Sequence, residues 1–313
     1  MTTTRAKWGL RARIVLSCAL IAWFLAWAEP ANVIGILKAI PIWCWCSAFL
    51  LHLFSQIVSA FRWRAVSLCM GIDGTAKTFL GVYFIGMFFN LFLPTSIGGD
   101  VVKAVMIGRD EGRVVLSAAS VLADRLLGIL AMFILGAIAL CARPDLLGEP
   151  FRTLLLCTGS ASLALVLFAP LLHSWLQPRL PTLAERTSRL LAVWRDPCGL
   201  FEAFCLSLVV QLTGTGILPI LGKGIGIDVA PPVYYMVFPF IALATFFPFS
   251  INGIGIREGG FISLLALYHV PSDAALTLSL AFFGIHVMEG LLGGIVYATG
   301  FHKRPCTAPT PCP

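Results

Sequence analysis

The sequence predicts an all-α integral membrane protein of about six transmembrane helices plus two re-entrant broken-helix hairpins, arranged as two inverted-topology repeats. Of the 313 residues, 58% are hydrophobic and 12% charged. Roughly 25% charged is usual for a soluble globular protein, so the polar side chains here are too few to cover a water-facing surface. The same shortage of charge excludes intrinsic disorder. Uncharged runs approaching the roughly 20 residues that cross a bilayer recur along the chain. Two proline- and glycine-rich linkers interrupt what would otherwise be apolar helices.

The first run, residues 14–28, follows Arg5, Lys7, Arg11 and Arg13. Ala26-Trp27-Ala28 also fits a signal-peptidase cleavage pattern. The run is read as an uncleaved span, because a single signal-anchor can start all the spans that follow. The second span covers residues 39–61 and ends at Arg62 and Arg64; later ones cover 114–142, 153–173, 200–221 and 274–301, giving six crossings. Residues 78–108 and 232–270 do not fit this scheme. In each, an apolar arm meets a linker that should break a helix, and the second arms, of 8 and 12 residues, are too short to cross. Each region is therefore read as a hairpin that returns to its own side, with irregular backbone that survives at membrane depth only where protein or a watery cavity surrounds it.

Basic residues test this topology, because cytoplasmic loops carry an excess of Lys and Arg. With the N-terminus in the cytoplasm and both hairpins returning, the 22 basic residues divide 16 inside, 4 outside, and 2 (Arg125 and Arg257) within the membrane. Hairpins that crossed once would give 12 against 8. The net charge of +7 is thus assigned to topology and not to nucleic acid. Both termini fall in the cytoplasm of a multi-pass protein of the cell membrane.

The linkers resemble one another. Pro94, Ser96, Ile97 and Gly99 recur 154 positions on as Pro248, Ser250, Ile251 and Gly253. Each linker follows two spans and precedes one, so the second half must sit upside down relative to the first, an arrangement typical of secondary transporters. The domain reading is a single membrane domain, 1–302, with repeats at about 10–142 and 153–301 and a disordered tail, 303–313. Between the repeats, residues 178–196 place Leu180, Leu183, Leu190, Leu191 and Trp194 near one helical face, with Arg186, Arg189 and Arg195 away from it. Two readings stand for this segment: a cytoplasmic helix on anionic headgroups, or a loop whose arginines only fix topology.

Charges inside a bilayer are expensive and point to function. The candidates are Asn90, Pro94, Ser96, Gly98, Gly99, Asp100 and Lys103 in the first hairpin, Asp124 and Arg125 in the following span, and Ser250, Asn252, Gly253, Gly255, Arg257 and Glu258 in the second hairpin. Asp100 is expected to cap a half-helix starting at Val101, whose N-terminal amides, with Lys103, suit an anion. In the second hairpin, Ser250 and Asn252 can cap, the glycines open the backbone and Arg257 offers a two-pronged donor. Adjacent residues on a helix point apart, so Arg257 and Glu258 are each expected to find a partner on another span, among Asp124, Arg125 and Glu289. Ion pairs that merely lock helices together are the competing reading. His286 and Glu289, one turn apart, could relay a proton; a satisfied buried histidine is the plainer reading for His286, and also for His52. The ten cysteines form no C-x-x-C pair, so neither a disulfide framework nor a metal site is expected. No phosphate loop is present, which removes ATP as the direct energy source, and no cofactor is expected.

The run from Phe89 to Asp100 (FNLFLPTSIGGD), Ala123-Asp124-Arg125, and the run from Ser250 to Glu258 (SINGIGIRE) together resemble the lysylphosphatidylglycerol synthase transmembrane-region family, also described as flippase-like or UPF0104-type membrane proteins. The likeness covers about residues 10–300. It implies lipid translocation across the cytoplasmic membrane. The larger aminoacyl-lipid synthases add a cytosolic transferase domain; none is read in this chain, so flipping and not lipid aminoacylation is the implied activity, and a non-enzymatic role is expected. The expected function is thus a lipid translocase for an anionic or polyprenyl-phosphate-linked headgroup, its cargo unassigned. The alternative is a membrane-embedded transferase or an accessory subunit in lipid or glycolipid synthesis. Membrane lipids are the expected partners, with a homo-oligomer or a lipid-synthesis enzyme as further candidates.

Overall fold

The computed structural model describes residues 30–92, 98–108, 111–179, 188, 190–246 and 253–300. The chain is an all-helical integral membrane protein, and among the described residues every regular element is a helix. In order these are α1 (Pro30–Ala39), α2 (Ile42–Cys69), α3 (Ala76–Phe92), α4 (Gly98–Ile107), α5 (Glu111–Ala142), α6 (Glu149–Leu176), α7 (Pro197–Ile225), α8 (Pro231–Phe246), α9 (Ile256–Leu265) and α10 (Ser272–Ala298). Short 3-10 turns cover Pro144–Leu146, Leu190–Arg195 and Ala266–Tyr268.

Five helices, α2, α5, α6, α7 and α10, are long and apolar enough to cross a bilayer, and they match five of the six expected spans. The expected span at 14–28 lies outside the described residues, as do the tail and most of the proposed cytoplasmic segment. One boundary is corrected. The second span does not stop at Arg62 but continues to Cys69, because Arg62 is buried and paired within the bundle. Lys103 is likewise buried, so both residues leave the cytoplasmic tally that the charge count gave them. The described end of the 178–196 segment is a 3-10 turn whose Ala192 and Val193 pack beneath Ala65, Val66, Ala123 and Leu127. This described end docks on the bundle.

Helix starts and stops follow local chemistry. Asp196 accepts a hydrogen bond from the Gly199 N–H at 3.0 Å, capping α7, and Pro197 opens its first turn. At the other end Gly226 takes the left-handed conformation at φ 89°, which lets the chain turn out of α7, a common glycine stop. In the two hairpins, α3 has 17 residues and α8 16, whereas α4 and α9 have 10 each. Ten residues rise about 15 Å, half the hydrocarbon thickness.

The packing is reciprocal. The most extensive helix–helix interface joins α2 to α7. The hairpin arm α3 lies against α10, and its counterpart α8 lies against α5. α4 packs on α5 as α9 packs on α10, and α2 on α3 as α7 on α8. The exchange of α2, α3, α4 and α5 for α7, α8, α9 and α10 therefore maps interfaces onto interfaces, although α5 meets α7 more broadly than α10 meets α2. Among the described elements α6 packs chiefly on α5 and leaves Leu165, Leu167, Phe168 and Leu171 exposed, as suits a helix facing lipid.

Candidate functional site

The first hairpin is closed by glycine. A side chain at Gly99 would collide with the Gly86 carbonyl oxygen on α3 and come within 2.7 Å of the Asn90 side chain. Gly99, a candidate site residue from the sequence, therefore serves the close approach of α3 and α4. The Asn90 side-chain oxygen accepts the Gly99 N–H at 2.7 Å, satisfying one of the open amides at the start of α4. The helix begins at Gly98, so Asp100 sits in its first turn and does not cap it. Its carboxylate accepts from Lys103 Nζ at 3.1 Å and from Arg125 Nε at 2.5 Å. Lys103 also lies 4.2 Å from the Tyr83 ring centroid and 5.8 Å from that of Trp63, close enough for cation–π attraction. The lysine expected to hold an anion is thus already held by the protein.

The second hairpin uses the same device with other residues. Gly253 and Gly255 adopt φ 74° and 90°, backbone that a side chain would strain. Glu258 reaches back to accept the Gly255 N–H at 2.5 Å. Its other oxygen accepts from Arg257 Nη2 at 2.7 Å and from the Ser279 hydroxyl at 3.1 Å. Arg257 and Glu258 were expected to find partners on other spans. They pair with each other instead, because Glu258 turns back toward its own helix start and the long arginine stem curls to meet it. Arg257 also stacks on Phe283 at 4.6 Å. Pro94, Ser96, Ser250 and Asn252 lie outside the described residues.

Between the hairpins is a polar cavity of about 290 Å³. It is lined from α2 by His52, Ser55, Gln56, Ser59 and Arg62, from the first hairpin by Tyr83 and Lys103, from α5 by Asp124, Arg125 and Gly128, from α7 by Gln211, and from α10 by His286. Gln56, Gly128 and Gln211 all fall near the middle of their helices, which places the hollow at mid-membrane. Of the residues expected at the site, Lys103, Asp124, Arg125 and His286 line it; Arg257 and Glu258 do not.

Asp124 does not pair with Arg125 or Arg257. It accepts two hydrogen bonds from Arg62, at 2.6 Å to Nε and 2.9 Å to Nη2, with the two residues 6% and 5% exposed. This fork geometry is the strong form of the Arg–carboxylate bond. Arg62 Nη1 has no hydrogen-bond partner among the described residues. Counting Asp100, which ties Lys103 and Arg125 together, three cations stand against two carboxylates among the described residues. Glu289, fully buried behind the cavity, places both carboxylate oxygens 2.8 Å from His52 Nδ1. The His52 and His286 rings are 4.5 Å apart, and the His286 Nδ1–H donates to the Phe282 carbonyl at 2.9 Å. The expected His286–Glu289 relay is therefore corrected to a cluster centred on His52.

Gln56 and Gln211 were not singled out in the sequence, Arg62 was read only as the end of a span, and His52 only as a satisfied buried histidine. A signal was present: His52, Ser55, Gln56, Ser59 and Arg62 recur at helical spacing on an otherwise apolar span, the mark of one polar face. Beside this hollow, α5, α6, α7 and the 3-10 turn at Leu190–Arg195 enclose an apolar cavity of about 380 Å³, lined among others by Leu165, Val166, Val193 and Trp194. Ile129 borders both cavities.

Comparison with known proteins places this arrangement. A family model described as lysylphosphatidylglycerol synthase TM region matches residues 14–294, nearly the whole chain. No individually curated protein matches it. The family is one of multi-pass membrane proteins in lipid metabolism or transport. By this match the chain belongs to the lysylphosphatidylglycerol synthase transmembrane-region family.

Proposed function

We propose that this protein is a lipid translocase that carries an anionic or lipid-linked headgroup across the cell membrane through the mid-membrane cavity. One observation carries the reading: a polar hollow whose described residues include more cations than carboxylates shares the Ile129 wall with an apolar hollow beside the lipid-facing α6. Such a pair of compartments suits an amphiphile, its charged head in one and its tail in the other or in the bilayer. The reciprocal packing of the two halves supports an inverted repeat, and rocking of one half against the other would expose the head to each leaflet in turn. The N-terminal amides of Gly99 and Gly255 are already bonded to Asn90 and Glu258, so attraction of the head falls to the cavity cations and not to the half-helix ends.

The test is a proteoliposome assay. A fluorescent anionic lipid in the inner leaflet becomes accessible to an external quencher only if it crosses. Purified protein should raise the crossing rate at least about tenfold above that of protein-free vesicles, and more for an anionic than for a zwitterionic lipid. A rate equal to that of empty vesicles would sink the reading.

Proton coupling follows from the charge balance. With His52 neutral and Glu289 ionised, the extra cation of the cavity is cancelled; one proton on the pair restores it and favours an anion. The charged and titratable groups that line the cavity beside this pair are Arg62 on α2, Tyr83 on α3, Lys103 on α4, Asp124 and Arg125 on α5, and His286 on α10. Translocation of an anionic lipid should therefore rise as pH falls and the pair takes up its proton. Glu289→Gln, which cannot ionise, should flatten that profile; an unchanged slope in the variant would exclude Glu289 from coupling.

A further inference from the structure

We propose that the edge of the Arg62 guanidinium left unpaired by Asp124 is a phosphate-binding site, completed by Gln211 and bordered by the bare backbone of Gly128. This rests on the translocase reading and names the chemical group the cavity recognises. Asp124 takes Nε and one N–H of Nη2, which fixes the plane of the guanidinium. Nη1, buried and without a partner among the described residues, then faces α5 and α7. A methyl group built on Gly128 would lie 3.2 Å from Arg62 Nη1, 3.4 Å from Gln211 Nε2 and 3.7 Å from Arg62 Nη2. Three nitrogens thus converge on the space over Gly128. Gln211 donates one amide hydrogen to the Gly128 carbonyl at 3.0 Å and has a second to give.

An uncompensated buried N–H pair is costly, and an anion is the group that relieves it. Arginine forks match the oxygens of phosphate in pairs. Phosphate is also the anion that membrane amphiphiles most often carry beside their apolar tails, and the apolar cavity begins one residue away, at Ile129. Neither Lys103 nor Arg125 is equivalent, since Asp100 holds both. Arg62 therefore binds the phosphate, and Asp124 positions it.

The experiment uses the full-length protein in detergent and follows its thermal unfolding during titration with dioctanoyl phosphatidic acid, dioctanoylglycerol or inorganic phosphate. Binding to the folded state alone raises the midpoint with ligand concentration. The phosphatidic acid should stabilise the wild type and dioctanoylglycerol should not. Gly128→Ala, which keeps the Arg62–Asp124 pair but fills the space over it, should weaken the apparent affinity about ten- to a hundredfold, the range of a charge-assisted hydrogen bond. Arg62→Lys, which can still meet Asp124 but has no second edge, should do the same. Stabilisation by inorganic phosphate as well, lost in the same variants, would support the site with free phosphate as a ligand; its absence would assign the site to lipid-borne phosphate. Equal affinities in wild type and Gly128→Ala would overturn the proposal, as would equal effects of phosphatidic acid and dioctanoylglycerol. Lipid crossing without phosphate binding would overturn this site and leave the translocase reading intact. Variant-sensitive binding with no crossing would do the reverse.

Discussion

Asp124→Asn should be the most damaging single substitution in the cavity, lowering stability by about 3–5 kcal/mol, the usual result of leaving one member of a buried ion pair alone. Asp124 is the sole hydrogen-bonding partner recorded for the Arg62 guanidinium among the described residues. The asparagine side chain can accept only one of the two arginine bonds and carries no charge to offset the cation. The measurement is thermal unfolding in detergent, supported by the fraction of protein recovered as a single species. The paired change Arg62→Met with Asp124→Leu removes both charges at similar volume and should recover most of the loss, because well-packed apolar pairs often match a buried ion pair in stability. The recovered protein should still fail in lipid crossing. A single Asp124→Asn variant that melts with the wild type would show that the pair contributes little to the fold.

Gly293→Leu should separate the first hairpin from the last span. Any side chain at Gly293 would collide with the Phe84 carbonyl oxygen of α3, and the neighbouring Gly290 and Gly294 would place theirs 2.5 Å from Leu91 and 2.7 Å from Phe88. Gly290 and Gly294 stand four apart, the small-x-x-x-small pattern that lets membrane helices approach closely. Overpacking by even one or two methylenes costs about 1–3 kcal/mol, and leucine at a backbone contact exceeds that. The α3–α10 interface is among the largest in the chain, so its loss should abolish folding or lipid crossing altogether. Gly35→Ala, at an exposed position of α1 where a side chain meets nothing within 4 Å, is the control and should cost far less. A well-folded Gly293→Leu with normal crossing rates would show that α3 and α10 need not touch.

Most of the secondary structure was legible from residue type and run length. The expected spans at 114–142 and 200–221 became Glu111–Ala142 and Pro197–Ile225, because long uncharged apolar runs have few alternatives in a bilayer. The exception is instructive. Arg62 was read as the end of a span, since an isolated arginine belongs at the interface. Asp124, 62 residues away, brings it inside, and the polar spacing along α2 does not name that partner. The same holds for Glu289 and His52, 237 residues apart. His286, one turn from Glu289, looked the better partner, yet the neighbouring helix supplies the bond and His286 turns to the Phe282 carbonyl.

The sequence alone determined that the chain is helical and embedded in a membrane, where its helices break, and which charges are too costly to stand alone. These follow from the price of unsatisfied backbone and bare charge in hydrocarbon, which depends on each residue and its near neighbours. Tertiary structure decided which charges neutralise each other and which one is left over. That choice depends on helix faces brought together from distant parts of the chain. Packing gave Lys103 and Arg125 to Asp100, turned Glu258 on Arg257, and left one buried nitrogen of Arg62 without a hydrogen-bond partner among the described residues.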